Sequence, residues 1–244
     1  MRRIFCLVLF CLSLTACQVA QLTTLYNDNT SIEEKGIRVD AQHRPITGVY
    51  QKYNDKMRLL EESHYVDGKL DGIYTAYGKK GKPILIAQYN KGKLEGKAIS
   101  YYDDGEQKEI STYKHDLLDG SQLAYFKNGA LMRKASYVMG KKNGVFEEYY
   151  SNSVTKVSAT YKRGKLNGTY KIRSKDNHLL SSAEYVNGKL HGPTVSYYKN
   201  GKPKVVAFRY KGNLDGVTKE FDSKGRLTRL ITYKDGEEIN NVNF

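Results

Sequence analysis

The chain has 244 residues, a formal net charge of +14 and a hydrophobic fraction of only 39%. A compact globule of this length buries a large apolar core, so the composition argues against one closed core and fits a thin, extended architecture. The three cysteines, at positions 6, 11 and 17, all lie near the N-terminus, and no disulfide is expected once a leader has been removed.

The first 16 residues have the organisation of a secretory signal peptide. Arg2 and Arg3 precede an apolar run over residues 4–14 that is too short to span a bilayer as a permanent helix. The sequence LTAC at residues 14–17 resembles the bacterial lipobox, which implies that Cys17 carries a lipid. The alternative is an ordinary cleaved signal peptide in which Cys17 occurs by chance.

A lipid on Cys17 would fix where the protein resides, because several acyl chains on one residue hold a protein on a membrane essentially permanently. Gln18 stands where an aspartate would retain a lipoprotein at the inner membrane, so in a cell with two membranes we expect attachment to the outer membrane. The basic charge would also attract nucleic acid. An envelope lipoprotein does not meet nucleic acid, and we expect none as a partner.

The next segment is polar and lacks the repeat that follows it. We expect residues 17–45 to form the lipidated N-terminus, a tether and a cap in front of a repeat domain over residues 46–244. An atypical capping strand within this segment is the alternative.

Beyond this segment, glycine recurs at intervals of 24 residues. A second glycine usually precedes the first by four residues, as in GKLDG at 68–72 and GKLHG at 188–192. A fixed interval of this kind indicates stacked, similar units rather than one globule. The glycines that define the period are Gly48, Gly72, Gly96, Gly120, Gly144, Gly168, Gly192 and Gly216.

Turn sequences bound short runs in each unit, and runs of this length predict strands rather than helices. The dipeptides at 104–105, 128–129 and 200–201 are Asp-Gly or Asn-Gly, which are typical of tight hairpins whose two central residues both adopt positive φ. We therefore predict an all-β protein: an elongated, single-layer array of about eight antiparallel β-hairpins.

Two columns of tyrosines follow the same period. In the first column, a small residue stands two positions before each tyrosine, as with Ser63 and Tyr65 or Ala87 and Tyr89. A spacing of two places both side chains on one face of a strand, where they can interlock as a ladder. The second column follows each period-defining glycine by five residues and comprises Tyr53, Tyr77, Tyr101, Tyr125, Tyr149, Tyr197 and Phe221.

The pattern G-x-Y-x-x-Y-x-x-[ND]-G followed by Y-x-x-G-K-L-x-G resembles the bacterial variant of the MORN repeat (membrane occupation and recognition nexus) from about Ile46 to Phe244. Asp116, Lys142 and Arg173 depart from the pattern in single units. The resemblance implies a hairpin solenoid with no enzymatic activity and no fixed ligand residues, associated with membranes or scaffolding. The chain also resembles the YwqK-type antitoxin family, which implies neutralisation of a toxin.

Tyrosines interleaved with cations are common anchors at protein interfaces. We therefore expect a protein partner to bind Tyr77, Tyr101, Tyr125, Tyr149, Tyr197, Lys69, Lys93, Lys141, Lys165 and Lys189. One alternative for the lysines is a solvated row that blocks edge-to-edge aggregation. Another is a site for an anionic partner such as phospholipid, lipopolysaccharide or an acidic protein face.

No motif indicates catalysis, a cofactor or a metal. The five histidines share no column and no ligand spacing. Asp71, Glu95 and Asp119 suggest calcium, but Asn143 and His191 occupy the same slot, and turn chemistry accounts for an acidic residue or asparagine before glycine. We predict no enzyme, no cofactor and no metal, with a lipid-modifying enzyme as the least favoured class.

The sequence therefore predicts a non-enzymatic, lipid-anchored envelope protein that binds a protein partner through its repeat surface. Its most concrete form is an immunity (antitoxin) lipoprotein that neutralises a toxin. The alternative is a structural, envelope-organising lipoprotein whose basic edge binds anionic lipid or glycan.

Overall fold

The computed structural model describes residues 24–244, so the predicted signal peptide and Cys17 lie outside the described residues. The N-terminal part of this range forms three short strands: β1 (Leu25–Tyr26), β2 (Ser31–Glu34) and β3 (Ile37–Asp40). Strands β2 and β3 pair with each other as a separate antiparallel hairpin.

The rest of the described chain is a succession of short strands without a helix. They are β4 (Gly48–Tyr53), β5 (Leu59–Val66), β6 (Lys69–Tyr77), β7 (Pro83–Asn90), β8 (Lys93–Tyr101), β9 (Gln107–Lys114), β10 (Leu117–Tyr125), β11 (Leu131–Val138), β12 (Lys141–Tyr149), β13 (Thr155–Lys162), β14 (Lys165–Leu166), β15 (Gly168–Arg173), β16 (Leu179–Val186), β17 (Lys189–Tyr197), β18 (Pro203–Tyr210), β19 (Asn213–Leu214), β20 (Gly216–Phe221), β21 (Leu227–Lys234) and β22 (Glu237–Asn243).

These strands pair antiparallel in chain order from β4 to β22. In two hairpins the second strand is divided into two pieces. Strand β13 therefore pairs with both β14 and β15, and β18 pairs with both β19 and β20. At the N-terminal end of the sheet, strand β1 pairs parallel to β4. The result is one long, open, mostly antiparallel sheet, which confirms the predicted hairpin array.

One edge of the sheet is formed by narrow turns of two residues. At Asp67-Gly68, both residues have positive φ, of 47° and 74°. This is the backbone of a type I′ turn, whose twist matches that of the antiparallel strands it joins. The same geometry recurs at Lys91-Gly92, His115-Asp116, Met139-Gly140, Arg163-Gly164, Asn187-Gly188, Lys211-Gly212 and Asp235-Gly236.

The other edge is formed by wide turns, and here the expectation of two-residue hairpins was wrong. At 102–106 the Tyr102 amide donates to the Glu106 carbonyl at 2.8 Å, and the Gly105 amide donates to the Tyr102 carbonyl at 2.9 Å. Gly105 has a φ of 99°, whereas Asp104 is absent from the positive-φ residues of the described chain. The Asp-Gly dipeptide therefore forms a type I turn followed by a left-handed glycine, with a register shift beside it.

Neighbouring narrow turns are tied to one another along their edge. The amide of Gly92 donates to the carbonyl of Leu70 at 2.7 Å, and the amide of Gly140 donates to the carbonyl of Leu118 at 2.8 Å. The residue before each period-defining glycine adds a side-chain acceptor in several units; for example, the Arg163 amide donates to Asn143 Oδ1 at 3.1 Å. These bonds give each unit a fixed position on the one before it.

The small-residue column is buried on one face of the sheet, which we call the inner face. Ser63 and Ala135 are 0% and 1% exposed, and the tyrosines of the first column pack beside such residues. This confirms the predicted ladder of small residues and rings. The buried members of the column are Ser63, Ala87, Ser111, Ala135, Ala159, Ala207 and Ile231.

A further column of inner-face rings is the first tyrosine of the pattern G-x-Y-x-x-Y, which was not assigned to a face from the sequence. It stands two residues after the period-defining glycine and holds Tyr50, Tyr74, Phe146 and Tyr170. Each of these rings meets a tyrosine of the first column edge-on, as for Phe146 and Tyr161 with ring centres 5.8 Å apart. Other units hold alanine, glutamine or threonine at this position, so the ring pattern is irregular and hides the period.

The β2–β3 hairpin covers the N-terminal end of the inner face. The Arg38 amide donates to the Gly68 carbonyl at 2.8 Å, and the Ile46 amide donates to the Arg38 carbonyl at 3.1 Å. Val39, Ile46 and Tyr50 are almost fully buried in consequence. The first repeat therefore has a covered inner face, as terminal units of stacked repeats require.

Candidate functional site

The second tyrosine column lies on the opposite face of the sheet, which we call the outer face. Tyr125 directly follows Ala124, which is 2% exposed on the inner face, and successive residues of a strand point to opposite sides. The five predicted partner-binding tyrosines, Tyr77, Tyr101, Tyr125, Tyr149 and Tyr197, are half-buried there.

An aliphatic strip crosses the outer face beside these tyrosines. Ile86 lies opposite Ile99, Ile99 opposite Ile110, and Ile110 opposite Leu123, so that four neighbouring strands, β7 to β10, place one aliphatic side chain each in a row. All four side chains are half-exposed. The row continues into Lys134, so the strip has a defined end.

More apolar side chains lie exposed on the same face, closer to the narrow turns. Ile73 and Val145 are each 48% exposed, although each stands in the middle of a paired strand. Phe208 and Val217 are further examples in paired outer-face positions. A sheet face that only met water would carry polar residues in these positions. These side chains are spread over β6, β12, β18 and β20, so the aliphatic strip from Ile86 to Leu123 is the contiguous apolar feature that they accompany.

Two of the outer-face tyrosines are held by short local hydrogen bonds. The Tyr149 hydroxyl donates to the Glu147 carboxylate at 2.7 Å, and the Tyr53 hydroxyl donates to Gln51 Oε1 at 2.7 Å. Burial, together with the bond to Glu147, raises the pKa of Tyr149 to about 12. Burial likewise raises the pKa of Tyr77. These rings are thus oriented before any partner arrives, which lowers the entropy lost on binding.

The predicted lysine row lies at the narrow turns and not beside the tyrosines. Lys69 and Tyr77 are the two ends of β6, so about 25 Å of strand separates them. The side-chain stems of Lys69, Lys141 and Lys165 pack over the glycine of the next narrow turn; a Cβ on Gly188 would lie 3.6 Å from Lys165 Cβ. Lys69, Lys93, Lys141, Lys165 and Lys189 are all exposed. The two predicted sets therefore form separate bands.

One unit breaks the first tyrosine column. Arg209 takes the inner-face position opposite Gly192, and Tyr210 moves to the outer side, where it is 44% exposed. Its ring lies 5.2 Å from that of His191. This one-residue shift of the tyrosine thus adds an exposed ring to the outer face.

The acidic column forms hydrogen bonds within the turns. The His115 amide donates to Glu95 Oε2 at 2.8 Å, and the Met139 amide donates to Asp119 Oδ2 at 3.2 Å. Within residues 24–244, no group of three or more His, Cys, Asp or Glu side chains is placed to hold a metal ion. No helix in that range is long and apolar enough to cross a membrane.

Comparison with known proteins identifies the repeat. Residues 94–115 and 190–211 match the family described as MORN repeat variant. These two segments are similar to the MORN repeat. Each match contains one wide turn and the strands on either side of it, which is the unit that recurs through the sheet. A search of curated proteins found no match for the chain. MORN repeats often take part in binding proteins or membranes.

The first matched MORN repeat overlaps the outer-face strip, since it includes Ile99 and Ile110. The strip itself was missed from the sequence, because each aliphatic position recurs in one neighbouring unit, as in Ile86 and Ile110, and is then lost. The same row holds Thr75, Lys134 and Glu147 in other units. Its signal lies in the cross-strand register of four strands, which a single sequence does not give directly.

Proposed function

We propose that the chain is a non-enzymatic binding protein that holds a protein partner on its outer face, between β6 and β10. The observation that carries the proposal is the row formed by Ile86, Ile99, Ile110 and Leu123, with Tyr101 and Tyr125 beside it. Half-exposed aliphatic side chains flanked by half-buried tyrosines have the composition of an interface core. MORN repeats commonly serve in such binding.

We further propose that a lipid on Cys17 anchors the chain in the cell envelope and that the partner is a toxin, so that the chain acts as an immunity lipoprotein. The support is the lipobox-like sequence at 14–17 and the resemblance to antitoxin proteins. Cys17→Ala tests the anchor. Metabolic labelling with palmitate is expected to mark the native chain and leave the variant unlabelled, whereas equal labelling of both would refute lipidation at this position.

Co-expression with the products of adjacent genes tests the immunity role. One neighbour is expected to arrest growth alone and to be harmless when the chain is present. Ile110→Glu is expected to abolish protection, because it places a charge in the apolar strip. Ser158→Glu is a matched control in the polar part of the same outer row, between Glu147 and Lys171. If no neighbour is toxic without the chain, the immunity role is refuted.

The second proposed role is structural: the exposed lysine row at the narrow turns binds anionic lipid or glycan. The specific observation in its favour is the regular packing of successive turns, which places Lys141 and Lys165 one above the other along one edge. Vesicles containing anionic phospholipid are expected to sediment the chain at low salt and to release it as salt rises. Binding that ignores salt or headgroup charge would count against this role.

A further inference from the structure

A recess opens on the outer face where the wide turns of the first two repeats meet. Its volume is about 630 Å³, and it is lined by Asn54, Lys56, Arg58, Leu60, Tyr77, Gly78, Lys79, Ile84 and Asp103. A smaller recess of about 120 Å³ adjoins it and shares Gly78, Lys79, Ile84 and Asp103. We call the two together the wide-turn pocket.

The pocket is open because Gly78 stands where other repeats carry a large ring. The equivalent positions one, three and five repeats further on are Tyr102, Tyr150 and Tyr198. Each of those hydroxyls donates to a carbonyl of the next wide-turn strand end, as Tyr102 does to the Tyr125 carbonyl at 2.7 Å. In those repeats the ring reaches across to the neighbouring hairpin. Gly78 has no side chain to do so, and a Cβ there would lie 2.8 Å from Ile84 Cγ2, so Ile84 lines the recess in place of a ring.

The pocket has an apolar floor and a basic rim. Leu60, Tyr77 and Ile84 are half-buried, and burial raises the pKa of Tyr77. Lys56, Arg58, Lys79, Lys80 and Lys82 line the two recesses with Asp103 as the one acidic side chain. Lys82 Nζ is committed to the Asp104 carbonyl at 2.7 Å, and the remaining cations are exposed at the rim.

The pocket also continues the outer-face strip. Ile84 and Ile86 are two residues apart on β7, so both point to the outer face, and Ile86 is the first member of the aliphatic row. A partner lying on the strip therefore reaches the pocket without crossing an edge of the sheet.

We propose that the wide-turn pocket is the anchor point for an acidic segment of the protein partner that carries one aromatic or large aliphatic side chain. The apolar side chain would cover Leu60, Tyr77 and Ile84, and flanking carboxylates would face Lys56, Arg58 and Lys79. A bare phosphate or lipid headgroup satisfies the rim but leaves the apolar floor exposed to water. The inference rests on the proposed role in protein binding and names where and by what chemistry that binding is anchored.

The probe is a short fluorescein-labelled peptide with one phenylalanine flanked on both sides by glutamates, measured by fluorescence anisotropy against the full chain. The native chain is expected to bind it, and replacing the phenylalanine by alanine is expected to weaken binding about tenfold or more. Ile84→Thr, which keeps the branched shape of the side chain, is expected to weaken binding of the phenylalanine peptide and leave the alanine peptide unchanged.

The rim is tested by the triple variant Lys56→Glu, Arg58→Glu, Lys79→Glu. Its matched control is Lys175→Glu, Lys199→Glu, Lys224→Glu, which changes the net charge equally at exposed wide-turn lysines of later repeats. The rim variant is expected to lose about tenfold or more in affinity, and the control less than about threefold. Thermal unfolding of both variants shows whether the fold is kept; if the rim triple unfolds, Lys79→Glu alone is used.

Three outcomes would overturn the inference. In the first two, the two triple variants lose affinity equally, or the phenylalanine and alanine peptides bind equally well. In the third, no peptide binds, and the native chain and the control variant bind phosphatidylglycerol vesicles whereas the rim variant does not. Failure of the pocket is distinguishable from failure of the proposed function. If binding of the partner is lost in Ile110→Glu but is unchanged in Lys79→Glu and Ile84→Thr, the outer face binds the partner and the pocket does not anchor it.

Discussion

The guanidinium of Arg38 lies over the ring of Tyr50, with its central carbon 3.8 Å from the ring centre, and joins the N-terminal hairpin to the first repeat. The same group lies 5.7 Å from the ring centre of Tyr65. Arg38 Nε is buried without a hydrogen-bond partner among the described residues, so contact with the rings supplies its main compensation. The hairpin thus closes one end of the inner face through a cation and two rings.

Removing this contact is expected to weaken the covered end. Arg38→Ala should lower the free energy of unfolding by about 1–3 kcal/mol, because it deletes a desolvated cation–ring contact and the packing of the side-chain stem. Arg44→Ala is the control: Arg44 pairs with Asp40 at 2.7 Å, but its side chain is 72% exposed. Urea unfolding should show a change of less than about 1 kcal/mol for the control. Equal effects of the two variants would contradict the closing role of Arg38.

The inner face has no room for a larger side chain in the small-residue column. Ala135 is 1% exposed and packs in one cluster with Phe146 and Val157. Ala135→Leu is expected to destabilise the protein by about 1–3 kcal/mol through overpacking. Ser121→Leu on the exposed outer side of the adjacent strand β10 should change stability by less than about 0.5 kcal/mol. A neutral Ala135→Leu, measured by thermal unfolding, would show that this face is not closely packed.

The side-chain acceptors at the narrow turns fix one repeat on the next. Asn143→Ala removes the acceptor of the Arg163 amide and is expected to cost about 1 kcal/mol. Because contacts in a stacked array are between neighbours, hydrogen exchange should accelerate at the 163–164 turn and not at distant turns such as 67–68. A uniform acceleration along the whole sheet would instead show that the array unfolds as one unit.

The raised pKa of Tyr149 predicts a loss of stability in alkali. Its value of about 12 in the folded chain exceeds the usual value near 10, so the folded state holds the phenolic proton where the unfolded chain has released it. The contribution of Tyr149 to the free energy of unfolding is therefore complete below about pH 10 and is lost as the pH rises from about 10 to about 12. Tyr149→Phe should flatten the decline in unfolding free energy over this interval.

The bond to Glu147 can be separated from burial as a cause of this shift. In Glu147→Gln, the partner of the Tyr149 hydroxyl is neutral, so the pKa of Tyr149 should fall towards 10 while burial keeps it above that value. Absorbance titration of phenolate in the native chain and in Glu147→Gln measures this directly. An unchanged late-ionising fraction in the variant would exclude Glu147 as a cause.

How far the sequence predicts this protein depends on whether a feature recurs with the period. Glycines and the column of Ser63 and Ala87 recur, so the array of hairpins and its inner face follow from spacing alone. The turn types were assigned to the wrong edge, because Asp104-Gly105 satisfies two kinds of hairpin and the choice depends on the length of the loop that closes it. The narrow turns instead use residues such as Met139, which gives no turn signal of its own.

The candidate site combines features that recur with the period and features that do not. The tyrosines of the second column were predictable because they recur, and the structure places them together on the outer face. The aliphatic row from Ile86 to Leu123 and the glycine that opens the wide-turn pocket at Gly78 occur once each. Such non-recurring features distinguish one repeat from the others, and their arrangement is seen only when the register of the strands is known.

The proposed binding of a partner through the outer face is tested most directly by site-specific photo-crosslinking in the intact envelope. A benzophenone side chain in place of Tyr101 on the outer face is expected to give one discrete protein adduct, and Ile110→Glu in the same chain should abolish it. The same group in place of Tyr89 on the inner face serves as the control and should give no such adduct. Adducts of equal yield from both faces, or none from Tyr101, would contradict the account.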